Sequence, residues 1–302
     1  ESLKANLEVL PFKPDSVELI DHYILACTKE NIEQRQNRFF VQGDPQAILI
    51  VEFLRDTEKE IQEIAKEMEA HLRSKNLGYH FPVVTGTDVS KVWNLRKAGL
   101  GLLSNIPGDA KAVAVIEDTA VDVEDLPDFI KEFNVILDKK NLHCVHYAHA
   151  ATGELHLRPI INLKTKEGTE LFREIASDIA QLVKKFKGSL SGEHGDGRLR
   201  GEFIPFLFGM EIYQLFKEVK HTWDPWSIFN PGKIVDTPPM DSSLRYSPGQ
   251  QTPPIETYFD FSQEEGILRA AEMCNGSGDC RKTEKSGGTM CPSYMATRDE
   301  KH

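Results

Sequence analysis

Residues 143–163 have the sequence HCVHYAHAATGELHLRPIINL, and this stretch decides the fold that the chain is predicted to adopt. The stretch is rich in residues of high β propensity and is broken only at Thr152 and Gly153, so it predicts two antiparallel strands joined by a tight turn. With those two residues at the centre of the turn, His149 on one strand faces His156 on the other. The two histidines then lie on the same face of the hairpin.

The facing histidines suggest a metal site. Directly opposed Cβ atoms lie about 4.5 to 5.5 Å apart, which lets two imidazoles bind one ion at roughly 2.0 to 2.2 Å. The glycine-flanked loop at 191–197, SGEHGDG, offers Glu193 as a third ligand, with His194 next to it. Two histidines and one carboxylate leave metal positions open for a substrate. The alternative is a pair of hairpin histidines that only form local hydrogen bonds.

Composition sets the broad class of protein. The chain has 302 residues, enough for one large or two ordinary domains. Its net charge of −11 argues against a nucleic-acid surface and against a polybasic membrane contact. No stretch approaches the ~18 apolar residues that span a bilayer, and no leader is recognised. Because the chain starts without methionine, we expect both ends to be cuts within a longer protein.

Periodicity and capping signals predict an α+β fold. We expect a mainly antiparallel sheet covered by helices, arranged as two ferredoxin-like halves, with an extended C-terminal tail. Thr57 and Glu60 have the spacing of a capping box. The predicted strands outside the hairpin are 47–54, 81–85 and 112–117. The predicted helices are 57–75, 89–103, 124–139, 169–187 and 205–223. After the last helix, Trp223, Trp226 and Phe229 are interpreted as packing residues.

The C-terminal part differs in composition. Residues 1–235 are expected to form one domain, and the Pro-rich segment 236–257 a linker. Residues 258–302 carry three cysteines among glycines, and the last is followed by proline, a pattern that suits a loop around an iron-sulfur cluster. Three thiolates are one fewer than the usual four ligands. A reducing, cytoplasmic compartment fits the odd cysteine count better than a disulfide framework. The three cysteines are Cys274, Cys280 and Cys291.

Four motifs in this order resemble the C-terminal domain of FAD-linked oxidases. They are 92–99 (VWNLRKAG), 149–156 (HAATGELH), 191–197 (SGEHGDG) and 230–233 (NPGK). That group includes D-lactate dehydrogenases, the D subunit of glycolate oxidase and D-2-hydroxyglutarate dehydrogenases. The resemblance extends from about residue 47 to 235. The cysteine-bearing tail resembles the start of the ferredoxin-type region in longer flavin and iron-sulfur fusion oxidoreductases, of which 258–302 would be a truncated piece.

The resemblance implies a domain that closes over FAD held by an upstream domain. A divalent metal, Zn, Mn or Fe, would be bound by His149, His156 and Glu193 and would bind a small D-2-hydroxy acid. His194 would accept the proton of the 2-hydroxyl while hydride passes to the flavin. Its alternative role is to orient the metal ligands. The chain alone is expected to be inactive.

Further roles are implied for cationic residues. Arg96 falls at the family's substrate-carboxylate position, and Lys111 resembles a second cationic position; either could instead be an exposed charge. Arg158 replaces a smaller polar residue of many relatives. It could pair with the second carboxylate of a diacid such as 2-hydroxyglutarate, or form a salt bridge within the protein. By analogy, Asn230 and Lys233 would lie near the flavin.

Two other functions stay open. One is a metal-dependent hydrolase, which the hairpin position of the histidines disfavours relative to a helical H-E-x-x-H motif. The other is a non-catalytic electron-transfer or assembly module. In the leading hypothesis electrons pass from the flavin to a 4Fe-4S cluster in the downstream iron-sulfur domain. We expect no nucleic-acid partner and no transmembrane segment, and a cytoplasmic location. Association with the inner-membrane periphery and a homodimer are both compatible with this hypothesis.

Overall fold

The structure, a computed structural model, describes residues 1–274, 278–282 and 291–299. The chain divides into two compact units, Glu1–Pro253 and Pro254–His302. The first unit contains an antiparallel sheet with helices around it, which confirms the α+β class. The Pro-rich segment up to Pro253 belongs to this unit, and Met240 within it is buried.

The helices and strands are numbered along the chain, with short 3₁₀ turns between several of them. The first unit contains α1 (Ser2–Val9), β1 (Ser16–Asp21), α2 (His22–Glu30), α3 (Ile32–Arg35), β2 (Ala47–Glu52), α4 (Glu58–Ser74), α5 (Val89–Leu102), β3 (Lys111–Ala112), β4 (Thr119–Ala120), α6 (Leu126–Lys139), β5 (Cys144–His149), β6 (Glu154–Ile161), α7 (Lys166–Lys185), α8 (Ile204–Phe208) and α9 (Met210–Trp223). The second contains α10 (Ile267–Glu272) and α11 (Pro292–Thr297).

The sheet has the strand order β2-β1-β5-β6-β3, and β4 also pairs with β6. All of these pairings are antiparallel. Because β1 pairs with β5, the strands of the described residues form one continuous sheet. Strand β1, which the sequence patterns did not predict, pairs with both β2 and β5 and so joins β2 to the β5–β6 hairpin.

The two faces of the sheet have different coverings, because side chains alternate along each strand. On one face Leu155 and Leu157 are buried in the main apolar core, which also contains residues of α6 and α7. On the other face Tyr147 and Val145 belong to a smaller core with Leu95 of α5. His149 and His156 lie on this second face, so the candidate site is positioned beside α5.

Several predicted helices are confirmed, and their ends follow local capping. Thr57 and Glu60 form the predicted capping box at the start of α4. Helix α7 begins three residues earlier than predicted, because the Thr165 side chain accepts a hydrogen bond from the Gly168 amide. The single predicted helix 205–223 is wrong. Gly209, with φ at 86°, separates α8 from α9.

Two predicted strands are wrong in extent. Residues 81–85 form no strand, since Pro82 has no amide hydrogen to donate to a neighbouring strand. The predicted strand 112–117 is limited to β3, which ends at Ala112. Asp118, which has φ at 81°, turns the chain directly before β4 begins at Thr119.

The register of the hairpin also differs from the prediction. A 3₁₀ turn at Ala150–Thr152 precedes Gly153, which has φ at 79°, so the loop has four residues instead of two. His149 therefore faces Glu154, while His156 faces Tyr147. The shift is two residues between partners, so both histidines stay on the same face, as diagonal neighbours.

The aromatic residues after α9 are more exposed than predicted. Trp223 is 84% exposed, Trp226 is 82% exposed and Phe229 is 66% exposed, so their interpretation as packing residues is wrong. The apolar residues Phe208 and Met210 on the preceding helices are exposed as well. Exposed aromatic residues are enriched at interaction sites.

Substitution Gly153→Ala is expected to destabilise the first unit by about 2 to 5 kcal/mol. The left-handed conformation costs an alanine about 1 to 2 kcal/mol, and overpacking adds about 1 to 3 kcal/mol. The overpacking arises because a Cβ atom at Gly153 would lie 2.0 Å from the Val121 carbonyl oxygen.

Chemical denaturation of this variant and of a Gly86→Ala control measures the difference. Gly86 has φ at 66°, and a Cβ atom added there would meet no atom of the described residues within 4 Å. The control therefore carries the conformational cost alone. Equal destabilisation of the two variants would contradict the tight approach of Gly153 to Val121.

Candidate metal and substrate site

The three predicted metal ligands lie together. The Nε2 atom of His149 is 3.6 Å from Glu193 Oε1, and the Nε2 atom of His156 is 3.7 Å from the same oxygen. Ligand atoms about 2.1 Å from a tetrahedral ion would lie about 3.4 Å from one another. The two imidazole rings have centroids 5.1 Å apart and are nearly perpendicular. The arrangement therefore fits a single divalent ion.

His149 lies between two carboxylates of neighbouring strands. Glu18 on β1 and Glu154 on β6 are its partners in register. The Nδ1 atom of His149 forms a hydrogen bond of 2.8 Å with Glu18 Oε1, and this bond raises the pKa of the imidazole. Glu18 thus holds the ring so that Nε2 faces Glu193, the usual orienting role of a carboxylate behind a metal-binding histidine.

His156 is enclosed by two other rings. Its side chain is 4% exposed, and it stacks on Tyr147 at a centroid distance of 4.6 Å and on His194 at 5.3 Å. Burial lowers the pKa of His156 to about 4, so the imidazole is neutral near pH 7. A neutral imidazole is the form that binds metals, which makes His156 suited to the ligand role.

Asp118 positions the loop that carries Glu193 and His194. Its two carboxylate oxygens accept hydrogen bonds from the backbone amides of both residues, each at 3.0 Å, and from the hydroxyl of Ser191. Its backbone carbonyl accepts a further bond of 2.7 Å from the Gly192 amide. One buried residue therefore binds four consecutive residues of the loop.

The Asp118 carboxylate is charged at neutral pH. Burial alone would raise its pKa, but the Ser191 hydroxyl and the loop amides hold it at about 2. Arg200 approaches it at 3.6 Å and also donates to the Glu117 and Gly195 carbonyl oxygens. These bonds connect the loop to the segment before β4.

Glu154 is a site residue that the sequence patterns did not single out. It is 8% exposed and forms a hydrogen bond with the Asp118 carboxylate. Burial, this bond and the nearby charges of Glu193 and Asp118 raise its pKa to about 7. Its Oε1 atom is 3.7 Å from His156 Nε2. The site consequently contains a fourth carboxylate or imidazole donor.

The predicted cationic residues have protein partners. The guanidinium of Arg96 forms a salt bridge of 2.9 Å with Glu18 and lies over the Tyr147 ring at 5.0 Å. Arg158 forms a salt bridge of 2.5 Å with Glu117, so the internal pairing considered for it is present.

Glu117 and Lys111 also have partners within the protein. Burial raises the pKa of Glu117, but the Arg158 charge and the Tyr147 hydroxyl, which donates at 2.6 Å, hold it below its usual value. Lys111 on β3 donates to the Ile106 carbonyl oxygen.

The remaining predicted residues lie elsewhere. Asn230 and Lys233 are exposed, and the nearby Ile234 amide donates to the Gly197 carbonyl oxygen at 2.7 Å, so this segment contacts the glycine loop. Of the cysteines in the second unit, Cys291 is the N-terminal cap of α11. Cys274 and Cys280 are exposed. The intervening residues 275–277 and 283–290 of the predicted cluster-binding stretch lie outside the described residues.

The acidic residues that the sequence patterns missed share one signal. Glu18 interrupts the apolar run of β1, and Glu117 and Asp118 follow the buried pair Val115 and Ile116. An acidic side chain inside an apolar strand is rarely buried without a partner. That pattern predicts buried carboxylates, but it does not predict which cation or imidazole each one meets.

The structure is an α+β domain in which two imidazoles and a carboxylate lie close enough together to bind one divalent ion. The chain belongs to the family described as FAD linked oxidases, C-terminal domain, which it matches over residues 8–234. The family predicted from the four motifs is thereby confirmed.

The chain is similar to D-2-hydroxyglutarate dehydrogenases of two bacteria. It is 31% identical to that of Pseudomonas putida over 100% of this chain and 30% of the relative. It is 30% identical to that of Escherichia coli over 100% of this chain and 31% of the relative. A mitochondrial D-lactate dehydrogenase [cytochrome] of Arabidopsis thaliana is 28% identical over 54% of this chain and 29% of the relative. The chain thus spans about a third of the length of these relatives.

A solved structure shares the fold. The 4-ethylphenol oxidase from Gulosibacter chungangensis, in complex with isoeugenol, superposes with a TM-score of 0.54 at 13% identity. The match covers 78% of this chain and 51% of that one. Within the described residues, no helix has the length and apolar character needed to cross a membrane.

Substitution Asp118→Asn is expected to lower the free energy of unfolding at pH 7 by at least about 2 kcal/mol, since hydrogen bonds to a charged group contribute about 1.5 to 3 kcal/mol each. A carboxylate whose folded pKa is depressed stabilises the fold above its unfolded pKa and loses that effect as pH falls. With a folded pKa of about 2, the difference between wild type and variant should shrink between pH 4 and pH 2.

Denaturant titrations at a series of pH values measure this difference. Asp122→Asn is the matched control, because the exposed Asp122 side chain accepts a single backbone amide, that of Glu124. An Asp118→Asn variant as stable as the control would show that Asp118 does not hold the loop.

Proposed function

We propose that this chain is the substrate- and metal-binding half of an FAD-dependent D-2-hydroxy-acid dehydrogenase. The observation that carries the proposal is the convergence of His149, His156 and Glu193, with His194 Nε2 3.3 Å from Glu193 Oε1. The similarity to proteins named as D-2-hydroxyglutarate and D-lactate dehydrogenases supports it.

Each residue of the site has a separate role in the proposed reaction. A divalent ion bound by His149, His156 and Glu193 would lower the pKa of the substrate 2-hydroxyl, and FAD held by a partner domain would accept the hydride. His194 takes the hydroxyl proton, because its imidazole is half-exposed beside the ligand Glu193 and can accept hydrogen bonds from a substrate. Glu18 keeps the His149 ring in its orientation throughout.

Cationic side chains would bind the substrate carboxylates. Arg96 carries five donors in a planar fork, and its salt bridge to Glu18 uses only its Nε and Nη2 atoms. Lys111 is the second cationic position. Arg158, which is paired with Glu117, would meet the distal carboxylate of a diacid. We therefore propose D-2-hydroxyglutarate as a better substrate than D-lactate.

The partners follow from the same proposal. The exposed aromatic residues Trp223, Trp226 and Phe229, close together in the sequence after α9, suit contact with an FAD-binding domain. Electrons would then pass from the flavin to a 4Fe-4S cluster that includes the three cysteines of the second unit. A cytoplasmic location, with attachment at the inner-membrane periphery, and a homodimer complete the proposal.

The complete protein that carries this sequence, purified without chelator, is the material for the test. D-2-hydroxyglutarate is expected to bleach the flavin absorbance, and a divalent metal is expected at near-stoichiometric amounts by elemental analysis. A His149→Ala, His156→Ala double variant should lose the metal and the bleaching but keep the flavin, because neither histidine belongs to the flavin-binding half. A protein without flavin would favour the hydrolase, and one with flavin but no metal would favour the non-catalytic module.

Substitution Arg158→Gln is expected to raise KM for D-2-hydroxyglutarate by about tenfold or more, because a hydrogen-bonded carboxylate loses a charged partner. KM for D-lactate, which has no second carboxylate, should change little. Steady-state kinetics of the complete protein with both substrates provides the comparison, and D-lactate serves as the internal control for damage to the Glu117 network. Equal losses with the two substrates would assign Arg158 to protein structure alone.

A further inference from the structure

Glu154 is built into the site by its surroundings. It is the first residue of β6 and faces His149 across the hairpin, so its side chain lies on the same face as both candidate histidine ligands. Gly192, at the start of the ligand loop, makes room for it. A Cβ atom at that position would lie 3.0 Å from both Cγ and Cδ of Glu154.

One oxygen of Glu154 has no hydrogen-bond partner among the described residues. This atom, Oε1, is buried. Its distance of 3.7 Å from His156 Nε2 is too long for a hydrogen bond. A buried carboxylate oxygen without a partner is costly unless a cation or a donor meets it. A carboxylate oxygen of Glu154 is within 4.8 Å of ligand atoms of His149, His156 and Glu193.

Asp118 is another carboxylate near these residues, and it is already engaged. Its Oδ1 atom accepts the Glu193 amide, and its Oδ2 atom accepts the His194 amide and the Ser191 hydroxyl. Turning either oxygen towards a metal would release the loop that carries Glu193. Of these two carboxylates, only that of Glu154 has an oxygen that could bind an ion without losing a hydrogen bond.

We propose that Glu154 is a fourth protein ligand of the metal, through Oε1, in addition to His149, His156 and Glu193. This inference rests on the proposed function, which supplies the three-residue metal site. Two carboxylates neutralise the charge of a divalent ion. A hydroxy acid that chelates through its hydroxyl and carboxylate needs two more positions, so four protein ligands suit six-coordinate Mn²⁺ or Fe²⁺ better than tetrahedral Zn²⁺.

Titration of the full chain with Mn²⁺, followed by the electron paramagnetic resonance signal of the free ion, tests the proposal. Glu154→Gln is expected to raise the Mn²⁺ Kd by more than about tenfold, a loss at least as large as that of an orienting residue. The glutamine amide can still donate to the Asp118 carboxylate, so the loop should stay in place. Glu174→Gln removes an exposed carboxylate on α7 and should leave the Kd unchanged.

A second measurement separates a ligand from an orienting residue. With Co²⁺ as the probe, Glu154→Gln should shift the visible ligand-field bands, because one ligand atom changes. Glu154→Asp, which keeps the charge but withdraws the oxygen by one methylene, should also weaken Mn²⁺ binding. Circular dichroism melting of each variant confirms that it is folded.

The outcomes distinguish this inference from the proposed function. Weak Mn²⁺ binding in Glu193→Gln but wild-type binding and unchanged Co²⁺ bands in Glu154→Gln would overturn the fourth ligand and leave the three-residue site intact. Reduced affinity with unchanged bands would also overturn it, since Glu154 would then only orient the ligands. A wild-type chain whose Mn²⁺ binding does not depend on Glu193 would overturn both.

Discussion

The hydrogen bonds accepted by Asp118 are the interaction on which the candidate site depends. The candidate ligands His149 and His156 belong to a sheet, where the strand ladders fix their separation, but Glu193 and His194 belong to an irregular loop. The loop acquires a defined position because the Asp118 carboxylate accepts the amides of both residues. The left-handed backbone of Asp118, with φ at 81°, directs that carboxylate towards the loop.

The carboxylates of the site differ in their pKa values and in the partners that they bind. Donors keep the pKa of Asp118 at about 2, whereas burial and neighbouring negative charge raise that of Glu154 to about 7. Glu18 and Glu117 are paired with the arginines Arg96 and Arg158. A cluster with this much negative charge favours a divalent cation at its centre. Under the proposed function, the flanking arginines would bind the substrate carboxylates.

The family, the α+β class and the clustering of the three candidate metal ligands could be predicted from the sequence alone, because these depend on residue types at short spacings. A shift of the register by two residues leaves His149 and His156 on the same face of the hairpin. The predicted clustering of the two histidines is therefore correct although the predicted turn is wrong. The pairing register of β5 and β6 could not be predicted, because the same sequence is compatible with a two-residue turn and with a four-residue loop that ends in Gly153. Glu154 was missed for that reason, since only the observed register places it opposite His149.

Longer-range features could not be predicted from local patterns. The partners of Glu18, Asp118 and Arg158 are separated from them by many residues, and the ladder between β1 and β5 brings Glu18 to His149. The exposure of Trp223 and Trp226 was likewise unpredictable, because aromatic residues are equally typical of cores and of interfaces.

The most direct measurement is anomalous X-ray diffraction from crystals of the protein grown with Mn²⁺. One strong peak is expected at roughly 2.0 to 2.2 Å from the Nε2 atoms of His149 and His156 and from a carboxylate oxygen of Glu193. Asp118 should keep both loop amides in the same crystals. A peak bound by Asp118 in place of Glu193, or no peak between the two histidines, would contradict a metal site held in place by Asp118.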